Sequence, residues 1–511
     1  MLGLFGKKSD HPMADLKLAQ QLLEDVPKND ALKALLELTG WIESVRSDGG
    51  IRLDNRFAVL RLLDETARHH ELKVTREYFS TATHSTFHER RLWTALNEYF
   101  TNLAEAYHDV LAGCRNGDKG ASTLKAQRPL IVTRGINATM GRLKCAAAHY
   151  VPVEQEIWGQ LAEYYTEAES QKCLDEAIEL YPGLHAENSV RHQFAGVLLW
   201  WASGTGSLKP LQIHLSERLT AHLCRSLVMS AEPGADSLFS FDLAQSHPPV
   251  RYSGDTAAHP NLLFIGQGGV RAQLDPLIEK LEKGMVPGEV NLGGTYDAEM
   301  VCEVAKRLAA NWLSAPPTRR NVRRNISVKL NVVRGFSGLI DQTYEGNGSD
   351  GENGKSWVAE DISATGFRCV LEAAQGGWVK VGSLIGFRPE NVQHWGAGIV
   401  RRLRRDEQNN LDVGVEILTN RVEAVNLCEE GGYLGVDDRP ALWLGHAGAG
   451  EGEARVLIKP GSFADNRTLQ MHTADKRYLL MPHGLIEKGD DYDLMHYRKV
   501  EHETSGGEES S

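Results

Sequence analysis

Four arginines lie within six residues of one another in the segment TRRNVRRN and make a dense positive centre. They are Arg319, Arg320, Arg323 and Arg324. Guanidinium groups this close repel one another unless an anion joins them. The planar guanidinium binds phosphate through paired hydrogen bonds, and the same plane can stack on a purine ring. The segment therefore predicts a site for a ligand that carries both phosphate and base.

A second polar motif follows in WVAEDISATGFRCVLE, where a turn is expected between two strands. Its candidate residues are Asp361, Ser363 and Gly366. A carboxylate can accept hydrogen bonds from N1 and the exocyclic amine of guanine, and a short hydroxyl can serve a neighbouring polar atom. Glycine lets the backbone approach closely. Together with the arginines, this motif predicts a guanine nucleotide as the ligand.

An RxxxR pair followed after a few tens of residues by D/N-x-S-x-x-G resembles the PilZ domain of bacterial cyclic di-GMP receptors. The RxxxR element can be assigned in two ways, as Arg319 with Arg323 or as Arg320 with Arg324. We prefer the second because Arg324 directly precedes the strand pattern ISVKLNVV. Further on, GAGIVRRL followed by LDVGVEIL is similar to the later strands of the family. The resemblance covers roughly residues 318 to 420 and implies a small β-barrel that binds cyclic di-GMP.

The resemblance also implies roles for the two motifs. The four arginines would hold the phosphates and stack on guanine, with Arg320 and Arg324 as the main pair. Asp361 and Ser363 would contact the edge of the base, and Gly366 would give the ligand room. The insertion TYEGNGSDGENGKS lengthens the spacing between the motifs, but a longer hairpin loop costs little stability.

Elements of two kinds must position these residues. From about residue 15 to 180 the apolar residues recur at helical spacing, so this half of the chain is predicted to be helical. Beyond Pro316 and Pro317 the period changes to two, which predicts short antiparallel strands separated by Gly, Asn and Asp turns. Residues 231–260 have the composition of a loop. Residues 261–284 predict a strand followed by a helix, and DAEMVCEVAKRLAANWLS predicts an amphipathic helix that ends at Ala315.

The predicted fold class is α+β and multidomain. The predicted parts are a helical domain (1–182), a mixed α/β middle domain (183–315), a PilZ-like antiparallel β-barrel (316–425), a β-rich C-terminal extension (426–500) and a disordered tail (501–511). The strand pattern from residue 441 to 500 either extends the barrel or forms a second, smaller β unit.

Bulk composition excludes several classes of protein. The 511 residues carry a formal net charge of -12, so the average field repels nucleic acid and anionic membranes. Seven scattered cysteines without a CxxC pair argue against a disulfide framework and against structural zinc. The longest apolar run is far below a membrane span. We therefore expect a cytoplasmic protein with no metal, no cofactor, no nucleic-acid partner and no membrane insertion.

Three weaker signals have ordinary explanations. A tetratricopeptide-like spacing occurs once, at Trp158, Leu161, Ala162, Tyr165, Ala177 and Pro182, and is interpreted as an ordinary helical hairpin. His84 and His88 lie four residues apart without a third metal ligand, which favours surface or core histidines. A second arginine cluster, at 401, 402, 404 and 405, is interpreted as a solvated strand end balanced by Asp406 and Glu407.

The segment from Gly266 to Arg271 has the start of a dinucleotide-binding fingerprint, but its third glycine position holds arginine. Known catalytic motifs are not found, and the chain is predicted not to be an enzyme.

The sequence thus predicts a cyclic di-GMP sensor or effector that couples binding at the barrel to rearrangement of helical domains. A protein partner is expected to dock on the helical half. One alternative is a protein–protein adaptor whose barrel is purely structural, and a second is a nucleotide-dependent enzyme that uses residues 262–275.

Overall fold

The computed structural model divides the chain into two compact units, residues 1–316 and 317–511. We call them the first and the second unit. The structure describes residues 10–80, 85–183, 188–254, 256, 258–313, 324–344, 355–372, 374–429, 438–445, 450, 452–463, 466–473 and 476–501. The predicted α+β class is confirmed, with helices in the N-terminal half and antiparallel barrels at the C-terminal end.

The first unit begins with helices that carry standard stop and start signals. They are α1 (Leu16–Glu24), α2 (Ala31–Ser47), α3 (Leu53–Tyr78), α4 (Thr86–Asn116), α5 (Arg128–Ala148), α6 (Glu156–Ser170), α7 (Val190–Ala202) and α8 (Pro210–Leu223). The side chains of Asp15, Asp30 and Ser85 accept hydrogen bonds from the free backbone N–H groups of α1, α2 and α4. Gly117, in the left-handed region at φ 73°, ends α4.

A buried polar network lies inside these helices. Asp64 of α3 is fully buried and accepts hydrogen bonds from the hydroxyls of Tyr107 (2.6 Å), Tyr181 (3.0 Å) and Tyr99 (3.3 Å). The guanidinium of Arg134, which is 1% exposed, lies 3.3 Å from the same carboxylate. Burial raises the pKa of Asp64, while the Arg134 charge and the tyrosine hydroxyls act against that shift. A charge this deeply buried is tolerated only with such partners.

The middle of the chain forms a small sheet with two helices. The elements are β1 (Val228–Ser230), β2 (Ser237–Asp242), β3 (Val250–Arg251), β4 (Leu262–Gly266), α9 (Val270–Glu282) and α10 (Ala298–Leu313). The strand order is β1-β4-β2-β3, and every neighbouring pair is antiparallel. The strand-to-helix prediction at β4 and α9 is confirmed, as is the amphipathic helix α10, which is described as far as Leu313.

Two predictions for the first unit are wrong. Residues 231–260 are not all loop, because Phe239 and Phe241 are buried and hold β2 in the sheet. Small polar residues around these phenylalanines hid the strand pattern. The hairpin interpretation also fails: residues 171–183 after α6 form turns and a single β-bridge from Ile178 to Asn188. The aromatic spacing in α6 reflects burial of Trp158 and Tyr165 in the core.

The second unit contains two closed six-stranded barrels. The first barrel consists of β5 (Arg324–Arg334), β6 (Lys355–Ser363), β7 (Gly366–Leu371), β8 (Leu384–Pro389), β9 (Gly396–Arg405) and β10 (Leu411–Thr419), in the order β10-β7-β6-β5-β8-β9. The second barrel consists of β11 (Glu423–Glu429), β12 (Arg439–Trp443), β13 (Glu453–Ile458), β14 (Leu469–His472), β15 (Arg477–Lys488) and β16 (Asp493–Glu501), in the order β11-β12-β13-β16-β15-β14.

A helix that the sequence analysis missed, α11 (Gly335–Tyr344), follows β5 and packs between the two barrels. In its first turn the Phe336 N–H donates a hydrogen bond of 2.8 Å to the carboxylate of Asp491 from the second barrel. A second link is the guanidinium of Arg401 on β9, which makes paired bonds of 2.7 and 2.6 Å to Glu487 on β15. The two barrels are therefore joined by charged contacts as well as by an apolar core.

Candidate functional site

The last arginine of the first sequence motif and the residues of the second motif lie on neighbouring strands of the first barrel. Arg324 is the first residue of β5, and in the antiparallel register it lies opposite Ile362 of β6, while Asn325 lies opposite Asp361. Neighbouring strands are about 4.8 Å apart. The backbone of Arg324 thus lies within one residue of the Asp361 position in the ladder. The other three candidate arginines, Arg319, Arg320 and Arg323, lie outside the described residues.

The turn between β6 and β7 gives Ser363 and Gly366 roles within the protein. These residues face each other across the turn, and the Ser363 hydroxyl donates a hydrogen bond of 3.0 Å to the Gly366 carbonyl. A Cβ at position 366 would lie 2.5 Å from the carbonyl oxygen of Val415 on β10. Glycine is therefore required here by the close approach of the next strand. The lone pairs of the Ser363 oxygen still allow it to accept a hydrogen bond.

Asp361 lies opposite Arg368 of β7, a residue that the sequence analysis did not single out. The Arg368 guanidinium bonds the carboxylates of Glu360 (2.7 Å) and Asp412 (3.0 Å). Burial acts to lower the pKa of Arg368, but the hydrogen bond and charge of Asp412, together with the charges of Glu360 and Asp361, raise it overall, so the group stays charged. The alternation in GFRCVL was the available signal, since Phe367 and Cys369 are buried and Arg368 faces outward.

The second arginine cluster is paired differently from the prediction. Arg401 bonds Glu416 at 2.6 Å and Glu487 at 2.6 Å, and a terminal nitrogen of Arg402 lies 3.9 Å from Asp412. Asp406 accepts bonds from Asn410 rather than from an arginine. Two of the balancing carboxylates, Glu416 and Asp412, come from the neighbouring strand β10, and Glu487 comes from β15 of the second barrel.

Comparison with known proteins places a similarity in the other unit. Residues 17–233 match the protein family described as cyclic-di-GMP receptor FimW, N-terminal domain. The match covers less than half of the chain, from α1 to just beyond β1, and does not include the first barrel, for which the sequence predicted a resemblance to PilZ. No curated protein matches the chain.

The glycine-rich segment after β4 allows the backbone to pack closely against a neighbouring segment of the chain. Gly268 has φ 47°, and a Cβ there would lie 2.3 Å from the carbonyl oxygen of Ser226. Its N–H donates to the Asp236 carboxylate at 3.1 Å. A dinucleotide site of the fingerprint type needs a parallel βαβ unit, whereas the strand pairs described around β4 are all antiparallel. This geometry argues against a dinucleotide site of that type after β4.

In the residues that the structure describes, no three His, Cys, Asp or Glu residues are grouped so that they could hold a metal ion. His88 lies 2.7 Å from Glu77, and His84 lies outside the described residues. No helix in the described ranges is long and apolar enough to cross a membrane.

Proposed function

We propose that the chain is a bacterial, cytoplasmic cyclic di-GMP receptor that acts as an effector rather than as an enzyme. The observation that carries the proposal is the register of β5 and β6, which brings the end of the arginine motif beside Asp361. The match of residues 17–233 to the N-terminal domain of a cyclic-di-GMP receptor supports it from an independent part of the chain.

The ligand would bind on the outer face of the first barrel, at the ends of β5 and β6. Arg320 and Arg324, helped by Arg319 and Arg323, would hold the phosphates and stack on guanine. Asp361 would accept hydrogen bonds from N1 and the exocyclic amine of guanine. Ser363 would accept a bond through its oxygen, and Gly366 would keep the turn close to β10.

Replacing the main arginine pair tests the proposal. The wild-type protein should bind cyclic di-GMP saturably in calorimetric titration, whereas Arg320→Ala/Arg324→Ala should weaken binding by at least about 100-fold, because two charge-assisted contacts are lost. GTP and cyclic di-AMP serve as ligand controls. The matched protein control is Arg477→Ala/Arg498→Ala, which removes two exposed arginines from the second barrel and should leave affinity unchanged.

Absence of binding by the wild-type protein would overturn the proposal. The leading function would then be a protein–protein adaptor in which the barrel is structural. Equal loss of affinity in both double variants would show that only the overall charge matters, and the motif assignment would be wrong.

We further propose that ligand binding changes the conformation of the helical half of the chain. The arginine segment joins the two units in the chain, so a ligand held by that segment and by the barrel favours one arrangement of the linker. The size of the change is set by the difference in ligand affinity between the two arrangements. A protein partner of the helices would then sense the change.

Hydrogen exchange and small-angle scattering test this coupling. Saturating cyclic di-GMP is expected to alter amide protection in α1 to α6 of the wild-type protein and to leave Arg320→Ala/Arg324→Ala unaffected. Identical exchange and identical scattering with and without ligand would exclude the coupling, while leaving the receptor proposal intact.

A further inference from the structure

Four residues, one on each of four neighbouring strands, form one row across the first barrel. In register, Asp361 of β6 lies opposite Arg368 of β7, Arg368 opposite Gly414 of β10, and Gly414 opposite Arg402 of β9. The residues before and after Arg368 and Gly414 on their strands are buried in the barrel, as is the residue after Arg402: Phe367, Cys369, Val413, Val415 and Leu403. Arg368, Gly414 and Arg402 therefore face outward, and at strand spacing the row from Asp361 to Arg402 is about 14 Å long.

The two arginines of the row are oriented by one carboxylate. Asp412 lies two residues before Gly414, on the same face of β10. It accepts a bond of 3.0 Å from Arg368 and lies 3.9 Å from a terminal nitrogen of Arg402. Its side chain is only 19% exposed, whereas that of Arg402 is 53% exposed. Asp412 thus holds Arg368 firmly and leaves most of the Arg402 guanidinium open to solvent.

Gly414 leaves a bare strip of backbone between these arginines. A Cβ built on Gly414 would lie 3.4 Å from Cβ and 3.9 Å from Nε of Arg402, so the Arg402 side chain runs alongside the strip. Glycine weakens a strand interior, and its presence in one often marks the close approach of a ligand or of another backbone. In this row the approaching group would come from solvent.

We propose that the strip over Gly414 receives a guanine base of the cyclic dinucleotide and that Arg402 stacks on that base. This inference rests on the proposed function. Asp361 at one end of the row reads the edge of a base, and the guanidinium plane at the other end covers a base face, a contact that arginine makes with purines. The strip extends the site from β5 and β6 to β9 and β10.

Three variants of the full-length protein test the inference by calorimetric titration with cyclic di-GMP. Arg402→Ala should raise the dissociation constant by at least about tenfold, the scale of losing one base-stacking contact. Gly414→Val, a β-branched residue suited to a strand, should weaken binding at least as much because its side chain fills the strip. Arg404→Ala removes the same charge from β9 opposite Asp412, outside the row, and should change affinity less than twofold.

The possible outcomes distinguish a failure of the base-stacking proposal from a failure of the receptor proposal. If the wild type binds, and Arg402→Ala and Gly414→Val lose affinity while Arg404→Ala does not, the base-stacking proposal is supported. The base-stacking proposal is overturned if the wild type binds and all three variants bind with the same affinity as wild type. It is also overturned if Arg402→Ala and Arg404→Ala lose affinity equally. In both cases the receptor proposal stands. No wild-type binding overturns both. If thermal unfolding shows that Gly414→Val is misfolded, the exposed pair Arg402→Ala and Arg404→Ala decides alone.

Discussion

Asp361→Asn is expected to weaken binding of cyclic di-GMP by about 30- to 100-fold while the barrel stays folded, since hydrogen bonds to a charged acceptor contribute about 1.5–3 kcal/mol. A carboxylate offers acceptors to both N1–H and the exocyclic amine of guanine, whereas an amide offers one acceptor and one donor. The replacement is nearly isosteric, so the strand pairing with Asn325 and Arg368 should persist. Calorimetric titration measures the affinity, and thermal unfolding checks the fold.

The control for this variant is Glu360→Gln, the adjacent carboxylate on β6, which pairs with Arg368 on the exposed surface. It should change affinity less than about threefold, because exposed ion pairs contribute little. Asp361→Asn should also narrow the preference for cyclic di-GMP over cyclic di-AMP, since an amide can donate to N1 of adenine. Unchanged affinity and unchanged preference in Asp361→Asn would show that Asp361 does not read the base.

Arg134→Met is expected to destabilise the first unit by about 3–5 kcal/mol, the cost of leaving a buried carboxylate without its cation. Arg134 contacts Asp64 in the core and also donates to the carbonyl of Leu180 at 3.0 Å. Urea unfolding followed by far-ultraviolet circular dichroism, which reports mainly on the helices, should show a lower midpoint with a similar slope.

Two further variants make this result interpretable. Arg61→Met removes an arginine from a partly exposed i,i+4 pair with Glu65, a carboxylate that Arg134 also bonds at 2.6 Å, and should cost about 0.5 kcal/mol or less. Adding Asp64→Asn to Arg134→Met should recover part of the lost stability, because the unpaired charge is removed. Equal midpoints for Arg61→Met and Arg134→Met would mean that the network does not support the helical core.

Local patterns predicted the strands of the first barrel, because strands such as β7 and β10 alternate buried with more exposed residues and turn residues separate the strands. They could not predict α11, a short helix that begins at a left-handed glycine, Gly335, whose conformation is favoured by the contact with Asp491 far along the chain. The second barrel was predicted only as strands, since closure depends on pairing β11 with β14, which no local pattern encodes.

The residues of the candidate site could likewise be predicted only in part from the sequence. Motif spacing alone singled out Asp361, Ser363 and Gly366, because they lie within six residues of one another in the sequence. The position of Arg368 and Gly414 in a shared row follows from strand register, which single-sequence patterns leave open. The buried ion pair between Asp64 and Arg134 could not be predicted either. The two residues are 70 positions apart, and each lies in a sequence segment that resembles an ordinary exposed helix face.

Closure of the two barrels limits how other chains can attach to the second unit. A closed barrel has no edge strand, so it cannot accept an additional β-strand from a partner or from a second copy. In the described sheet of the first unit, the edges are β1 and β3, which are only three and two residues long. Association through the barrels must therefore use side chains, and this protects a strand-rich unit against edge-to-edge aggregation.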